Sequence, residues 1–194
     1  MSVTPERVAE RAYWPVPTLR ALPALMLGLT ITFSQDHSAR LGLVLFGVFA
    51  IVSGAVILVF HRRVGDRVIH RIFLTLAVIA VVCGAAALVG NAGGLGLLLF
   101  LLSVFFATTG FLELYAGLRS RGRLTLARDW VLVGAFTAIA ALVFLLLPPD
   151  ALVAVGLLGA YGIVIGVYLA IGGLSLKWGT QNDSAVRQRA ESEK

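Results

Sequence analysis

The chain has 194 residues, of which 59% are hydrophobic and only 13% charged. A soluble domain is about half apolar and about a quarter charged, so a mean hydropathy of +0.94 excludes an ordinary soluble, disordered or disulfide-stapled protein and leaves a polytopic membrane protein. The net charge of +6 comes from basic residues at the ends of apolar segments, which points to the anionic face of a bilayer and not to nucleic acid.

Residues 1–17 read as an N-terminal interfacial segment on the cytoplasmic side. Thr4 suits an N-cap, Pro5 the first helical position and Glu6 the positive end of the helix dipole. Tyr13 and Trp14 then fall at the level of an aromatic belt. Glu6, Arg7, Glu10 and Arg11 interrupt any signal-peptide core, so no cleaved leader is expected. A spanning helix needs about 20 mostly apolar residues. Six segments qualify, at 18–34, 41–60, 71–90, 95–117, 130–147 and 151–174. The first is the weakest, because Arg20 and Pro23 lie near its start. The spans form one transmembrane domain over 18–178, and 179–194 reads as a disordered cytoplasmic tail.

The loops set the orientation. Fifteen of the 16 basic residues fall before or at the start of span 1, between spans 2 and 3 or at the start of span 3, between spans 4 and 5, or after span 6. Arg40 alone lies on the other side. The basic side is cytoplasmic by the positive-inside rule, so both termini are inside. The outer connections are short: Gln35 to Arg40, Asn91 to Gly94, and Pro148-Pro149-Asp150. They predict three tight antiparallel hairpins joined by basic cytoplasmic loops. Gly93-Gly94 and Gly96 read as flexible linkage, with no phosphate-binding lysine after them.

Spans 2, 4 and 6 superpose at a fixed offset of 56 residues. Leu45, Leu101 and Leu157 align, as do Gly47, Ser103 and Gly159. So do Phe49, Phe105 and Tyr161, and then Gly54, Gly110 and Gly166. The same step pairs Gly28 with Gly84, Arg63 with Arg119 and Arg67 with Arg123. The fold expected is all-α: six transmembrane helices as three tandem two-helix repeats, about 15–70, 71–126 and 127–178. Each unit enters and leaves on one side, so the copies are parallel and a pseudo-threefold bundle follows. Gly54, Gly110 and Gly166 read as close-packing points, with Gly162 forming a GxxxG with Gly166.

The Leu-Leu-Leu-Pro-Pro-Asp-Ala turn at 145–151 and the Val-Gly-Leu-Leu-Gly-Ala-Tyr-Gly-Ile-Val-Ile-Gly stretch after it resemble the HdeD family of bacterial inner-membrane proteins. The likeness covers spans 2 to 6 well and span 1 weakly. It implies a six-helix, non-enzymatic protein of the bacterial cell membrane, built from a short tandem repeat, and a role in envelope or acid-stress tolerance. It supplies no catalytic residues. A small transporter or channel for a proton, an ion or a small solute is the alternative, and a membrane enzyme or enzyme subunit ranks third.

No catalytic, cofactor or metal motif stands out, and no cofactor is expected. Cys83, the lone cysteine, reads as a buried hydrophobe. His61 and His70 sit among arginines and read as solvated or lipid-facing. Thr30, Thr32, Ser53, Thr75, Ser103, Thr108, Thr109 and Thr137 can bond to helix carbonyls or to neighbouring helices. His37, beside Asp36 in the first outer turn, is a pH-sensing candidate because histidine gains charge between about pH 7 and 5. The partners expected are the bilayer with its anionic cytoplasmic leaflet, and a second copy or another membrane protein; nucleic acid is not among them.

Glu113 is the one acid inside a span. An intramembrane acid is by default a functional candidate. It lies about 10 Å from its helix centre at 1.5 Å per residue, inside a hydrocarbon half-thickness of about 15 Å. The repeat places Ile57 and Leu169 at its equivalent positions, so the acid is peculiar to the middle copy. Its i+3 and i+4 neighbours, Ala116 and Gly117, offer no partner. Arg71 and Arg128, at the cytoplasmic starts of spans 3 and 5, are the expected ones. A relay outward through Thr109 or Ser103 is the competing role.

The charge distribution makes a topological prediction. Single cysteines placed at His37 and Pro149 in a Cys83-free chain should react with an impermeant thiol reagent in intact cells. Cysteines at Arg63, Arg121 and Arg187 should react only after the cytoplasmic face is opened, and reaction of position 121 in intact cells would reverse the assignment.

Overall fold

The computed structural model describes residues 14–60, 67–122, 124 and 126–192, with side chains as far as Trp178. Six helices follow one another: α1 (Pro15–Phe33), α2 (Ala39–Phe60), α3 (Arg67–Val89), α4 (Gly94–Arg119), α5 (Ala127–Leu146) and α6 (Ala151–Ser192). Each contains a stretch long and apolar enough to cross a membrane, that of α6 being Ala151–Trp178. The chain is thus a multi-pass, all-helical membrane protein. Helices suit this solvent because they satisfy their own backbone hydrogen bonds. Large apolar side chains such as Met26, Phe33, Val82, Phe100 and Ile171 stand on the outside, where the acyl chains lie.

Local chemistry sets the helix ends. Pro15 occupies the first turn of α1, where its missing N–H is not needed. Pro23 lies inside α1, and the helix runs through it. Both carboxylate oxygens of Asp36 accept from Ser38, Oδ1 from the backbone N–H at 2.8 Å and Oδ2 from the hydroxyl at 3.1 Å. Asp36 therefore fixes the first turn through Ser38. Gly94 starts α4 at φ +69°, a left-handed conformation that glycine adopts freely. Pro148 and Pro149 follow the end of α5, and Asp150 Oδ1 accepts the N–H of Val153 at 3.1 Å, capping α6.

Three sequence expectations change. α1 begins at Pro15, before the expected start at 18, so Arg20, counted above with the basic flank, lies in its second turn. α6 continues as helix to Ser192, where a disordered tail was expected. Its last turns are rich in Ala, Arg, Gln and Glu, all good helix formers. The Thr4 cap, Tyr13, His61 and Arg63 lie outside the described residues.

The third change concerns which helices pack. The most extensive contacts join α4 to α5, α1 to α6 and α2 to α3. These pairs do not include the hairpins closed by the short outer turns, and α5 and α6 scarcely touch. Glycines explain the choice. A Cβ on Gly54 of α2 would lie 3.0 Å from the carbonyl oxygen of Ala77 in α3. On Gly110 of α4 it would lie 2.6 Å from the backbone nitrogen of Ala138 in α5. On Gly166 of α6 it would lie 2.7 Å from Leu25 in α1, and on Gly162 2.7 Å from the carbonyl oxygen of Ala24. Lipid gives no hydrophobic drive for helices to associate, so the pairs that can bring backbones together win. A short turn fixes only where two helix ends meet.

α2, α4 and α6 converge in the middle. A Cβ on Gly42 would meet Leu98 of α4 at 2.8 Å and Val155 of α6 at 2.9 Å. We name the two ends of the bundle by their contents. The turn end carries residues 34–38, 90–93 and 147–150, and the terminal end carries the start of α1. The turn-side half is packed with Leu43, Phe46, Leu98, Phe106, Phe144 and Leu158, all essentially inaccessible. Phe106 stacks on Phe144 at 5.4 Å, and Phe46 meets Phe105 edge-on at 5.2 Å.

Glycine substitutions rank the contacts. Gly110→Leu and Gly162→Leu should each lower thermal stability in detergent, by about 1–3 kcal/mol or more, because the added volume meets backbone. Gly156→Leu, whose Cβ would meet nothing within 4 Å, should leave the melting temperature nearly unchanged. Equal melting of all three variants would remove packing as the role of these glycines.

Candidate functional site: a buried ion pair between α1 and α4

α1 and α4 share no extensive packing, yet a polar bond joins them across the interior. The Arg20 guanidinium donates through Nη2 to Glu113 Oε1 at 2.7 Å. The Glu113 side chain is 3% exposed and that of Arg20 17%. Arg20 therefore takes the place that the sequence assigned to Arg71 or Arg128. Arg71 and Arg128 are both exposed on the surface. Arg71 contributes only its carbonyl oxygen, which accepts from Thr75 Oγ1 at 2.9 Å.

The reason is geometric. Arg20 lies in the second turn of α1 and Glu113 near the last turns of α4, so both sit at one depth near the terminal end. The residue 56 positions on from Arg20 is Leu76, aliphatic in the sequence and 2% exposed in the structure. Arg20 went unread because, at the very start of the first span, it was counted with the basic flank.

The pair borders a small chamber of about 20 Å³ at the centre of the bundle. Ile57, Glu113 and Leu169, spaced by 56 residues, all line it, and so do Phe49, Phe105 and Tyr161. A layer that is otherwise aliphatic thus carries one acid and one guanidinium. Thr137 Oγ1 lies 3.0 Å from the Tyr161 hydroxyl, a bond between α5 and α6 inside the same chamber. Thr109 turns back on its own helix and donates to the Phe105 carbonyl at 2.6 Å. Ser53 Oγ is buried with no hydrogen-bond partner.

A second cavity, of about 30 Å³, lies on the terminal side of the pair. Arg20, Glu113 and Leu169 line both cavities. Beyond it, Tyr168 donates its hydroxyl to Asp129 Oδ1 at 3.0 Å. Asp129, Tyr168, Gly172 and Leu176 also line an open groove of about 360 Å³ between α5 and α6. The sequence marked Tyr161 only by its 56-residue step from Phe49 and Phe105, which says nothing of its hydroxyl, and it did not single out Asp129 or Tyr168.

The other candidates are placed as follows. The hydroxyls of Thr32, Thr75 and Thr108 bond to carbonyls four residues earlier on their own helices, at 2.8, 2.9 and 2.7 Å. They are spent on backbone. Ser103 is half-buried, as is His37 in its outer turn. Cys83 is buried in the core. Among the described residues, no three His, Cys, Asp or Glu side chains gather at one point. No family model, curated protein or solved structure matches the chain.

A buried pair is destabilised most when one charge is left alone, by about 3–5 kcal/mol. Glu113→Gln should therefore lower the melting temperature in detergent. Exchanging the charges, with Arg20→Glu and Glu113→Arg together, should restore much of the loss, because the Coulomb attraction is symmetric. Combining Glu113→Arg with Arg71→Glu or Arg128→Glu should restore none of it, and rescue by either would place the partner elsewhere.

Proposed function

We propose that this chain is a non-enzymatic bacterial inner-membrane protein of the HdeD type, with both termini cytoplasmic, that serves envelope or acid-stress tolerance through assembly or bilayer organisation. The turn at 145–151 and the glycine-aliphatic stretch after it support the family. The loop arginines support the orientation. Three parallel two-helix units around a pseudo-threefold axis are part of the reading. Gly54 on Val81, Gly110 on Thr137 and Gly166 on Leu25 support it, since both members of each contact step by 56 residues. Gly47 against Gly84 and Gly159 against Gly28 follow the same rule. In this arrangement the packed unit is α2 with α3, then α4 with α5, then α6 with α1, shifted by one helix from the tandem hairpins of the sequence.

The observation that carries the non-transporting reading is the turn-side half. Phe46, Leu98, Phe106, Phe144 and Leu158 fill it with apolar side chains between the chamber and the outer turns. A permeating ion would have to leave its hydration shell there with no polar group in exchange. One observation favours the alternative, a small transporter: the chamber and its ion pair put charge in the interior.

Purified protein in vesicles carrying an interior pH dye separates the two. The expected result is that an imposed proton gradient decays no faster than in empty vesicles, within about twofold. Faster decay that Glu113→Gln abolishes would replace the first reading with transport. In cells, loss of the protein should reduce survival after an acid challenge. Restoration by the His37→Gln chain as well as by the parent would relieve His37 of any sensing role.

A further inference from the structure

The chamber has the size and chemistry of a bound-water site. A cavity needs about 10–15 Å³ to admit one water, and the water needs two to four polar partners. The chamber offers about 20 Å³. Glu113, Arg20, Thr137, Tyr161 and Ser53 all contribute to its lining. Ser53 is the independent pointer. It is 5% exposed, its hydroxyl has no partner, and it lines this chamber. Thr109 stands one repeat further on and bonds back to its own helix at 2.6 Å, so Ser53 had the same option and does not take it. A buried hydroxyl is satisfied by protein or by ordered water.

The supply route is one-sided. The second cavity shares Arg20 and Glu113 with the chamber, and it shares Asp129, Tyr168, Gly172 and Leu176 with the open groove between α5 and α6. The turn-side half is filled by phenylalanine and leucine. We propose that the chamber beside the Arg20–Glu113 pair holds a water molecule bound by Ser53 Oγ, and that this water exchanges only with the terminal end, through the groove between α5 and α6. The Glu113 carboxylate then meets solvent protons from one compartment alone. The inference stands apart from any stress role and holds for a scaffold or a transporter.

Radiolytic hydroxyl-radical footprinting of the intact protein in nanodiscs tests the water, because bound water activated in place marks the side chains beside it. Tyr161 and Phe49 line the chamber, while Phe46 and Phe144 lie outside it. The expected result is modification of Tyr161 and Phe49 at least fivefold faster than of Phe46 and Phe144. Ser53→Val, which fills the chamber and removes the hydroxyl, should bring Tyr161 down to the rate of Phe144. Equal rates in the parent protein overturn the proposal without recourse to any variant. Sidedness is read from Gly172→Cys in a Cys83→Ala chain, since a Cβ at Gly172 meets nothing within 4 Å. In oriented vesicles a small impermeant thiol reagent should react from the terminal end only. Reaction from the turn end, or none from the terminal end, overturns the one-sided route.

Discussion

Close approach of helix backbones at glycine is the constraint on which this bundle depends. In lipid, an apolar side chain gains nothing by leaving its surroundings for another apolar side chain, so packing contact and polar bonds must hold helices together. Gly110 lets α4 come within contact of the α5 backbone, and Gly162 does the same for α6 against α1. These contacts decide the partners. They override the short turns, which join α1 to α2 and α5 to α6 in sequence without making those pairs the closest ones. The broad ring of exposed Val, Leu, Ile and Phe is then free to face lipid and carries no specificity.

Against that apolar background the Arg20–Glu113 pair is costly and specific at once. Each charge would be expensive alone at this depth. Together they form a charge-assisted bond at 2.7 Å, and they tie two helices that otherwise lack shared packing. Replacing buried pairs by well-packed apolar residues is often neutral or stabilising. Aliphatic residues stand 56 positions away from each member, Leu76 from Arg20 and Ile57 from Glu113. The pair therefore adds something that the aliphatic version of this layer lacks: polarity in the interior, and the small chamber beside it.

The helices were legible because hydrocarbon thickness and mean hydropathy act on long segments, where single residues average out. All six spans lie within a few residues of where the apolar runs put them. Glu113 was legible too, since one acid in an apolar span stands out. Its partner was not, because Arg20 sits where a short first span meets its basic flank, and charge counting assigned it to the loop. Pairing of helices was also hidden. Turn length is visible in sequence, whereas the contact at Gly110 depends on which face of α4 meets which face of α5. Tyr161 and Thr137 became a pair only because α5 and α6 approach there, across 24 residues of chain.

The clasp between the first and last helices bears on how the protein is made. Of the six helices α1 is made before the others, yet Gly162 and Gly166 that receive it lie on α6, the sixth in order. Until α4 is made α1 lacks Glu113 as a partner for Arg20, and until α6 is made it lacks the helix it packs against most extensively. Pairs such as α2 with α3 and α4 with α5 are local in sequence and can form as they emerge, as N-terminal parts of a chain generally do. α1 must wait beside them, its guanidinium snorkelling to the interface. The bundle is therefore a ring fastened by its ends, and the period before α6 arrives is when a chaperone or the insertion machinery has the most to shield.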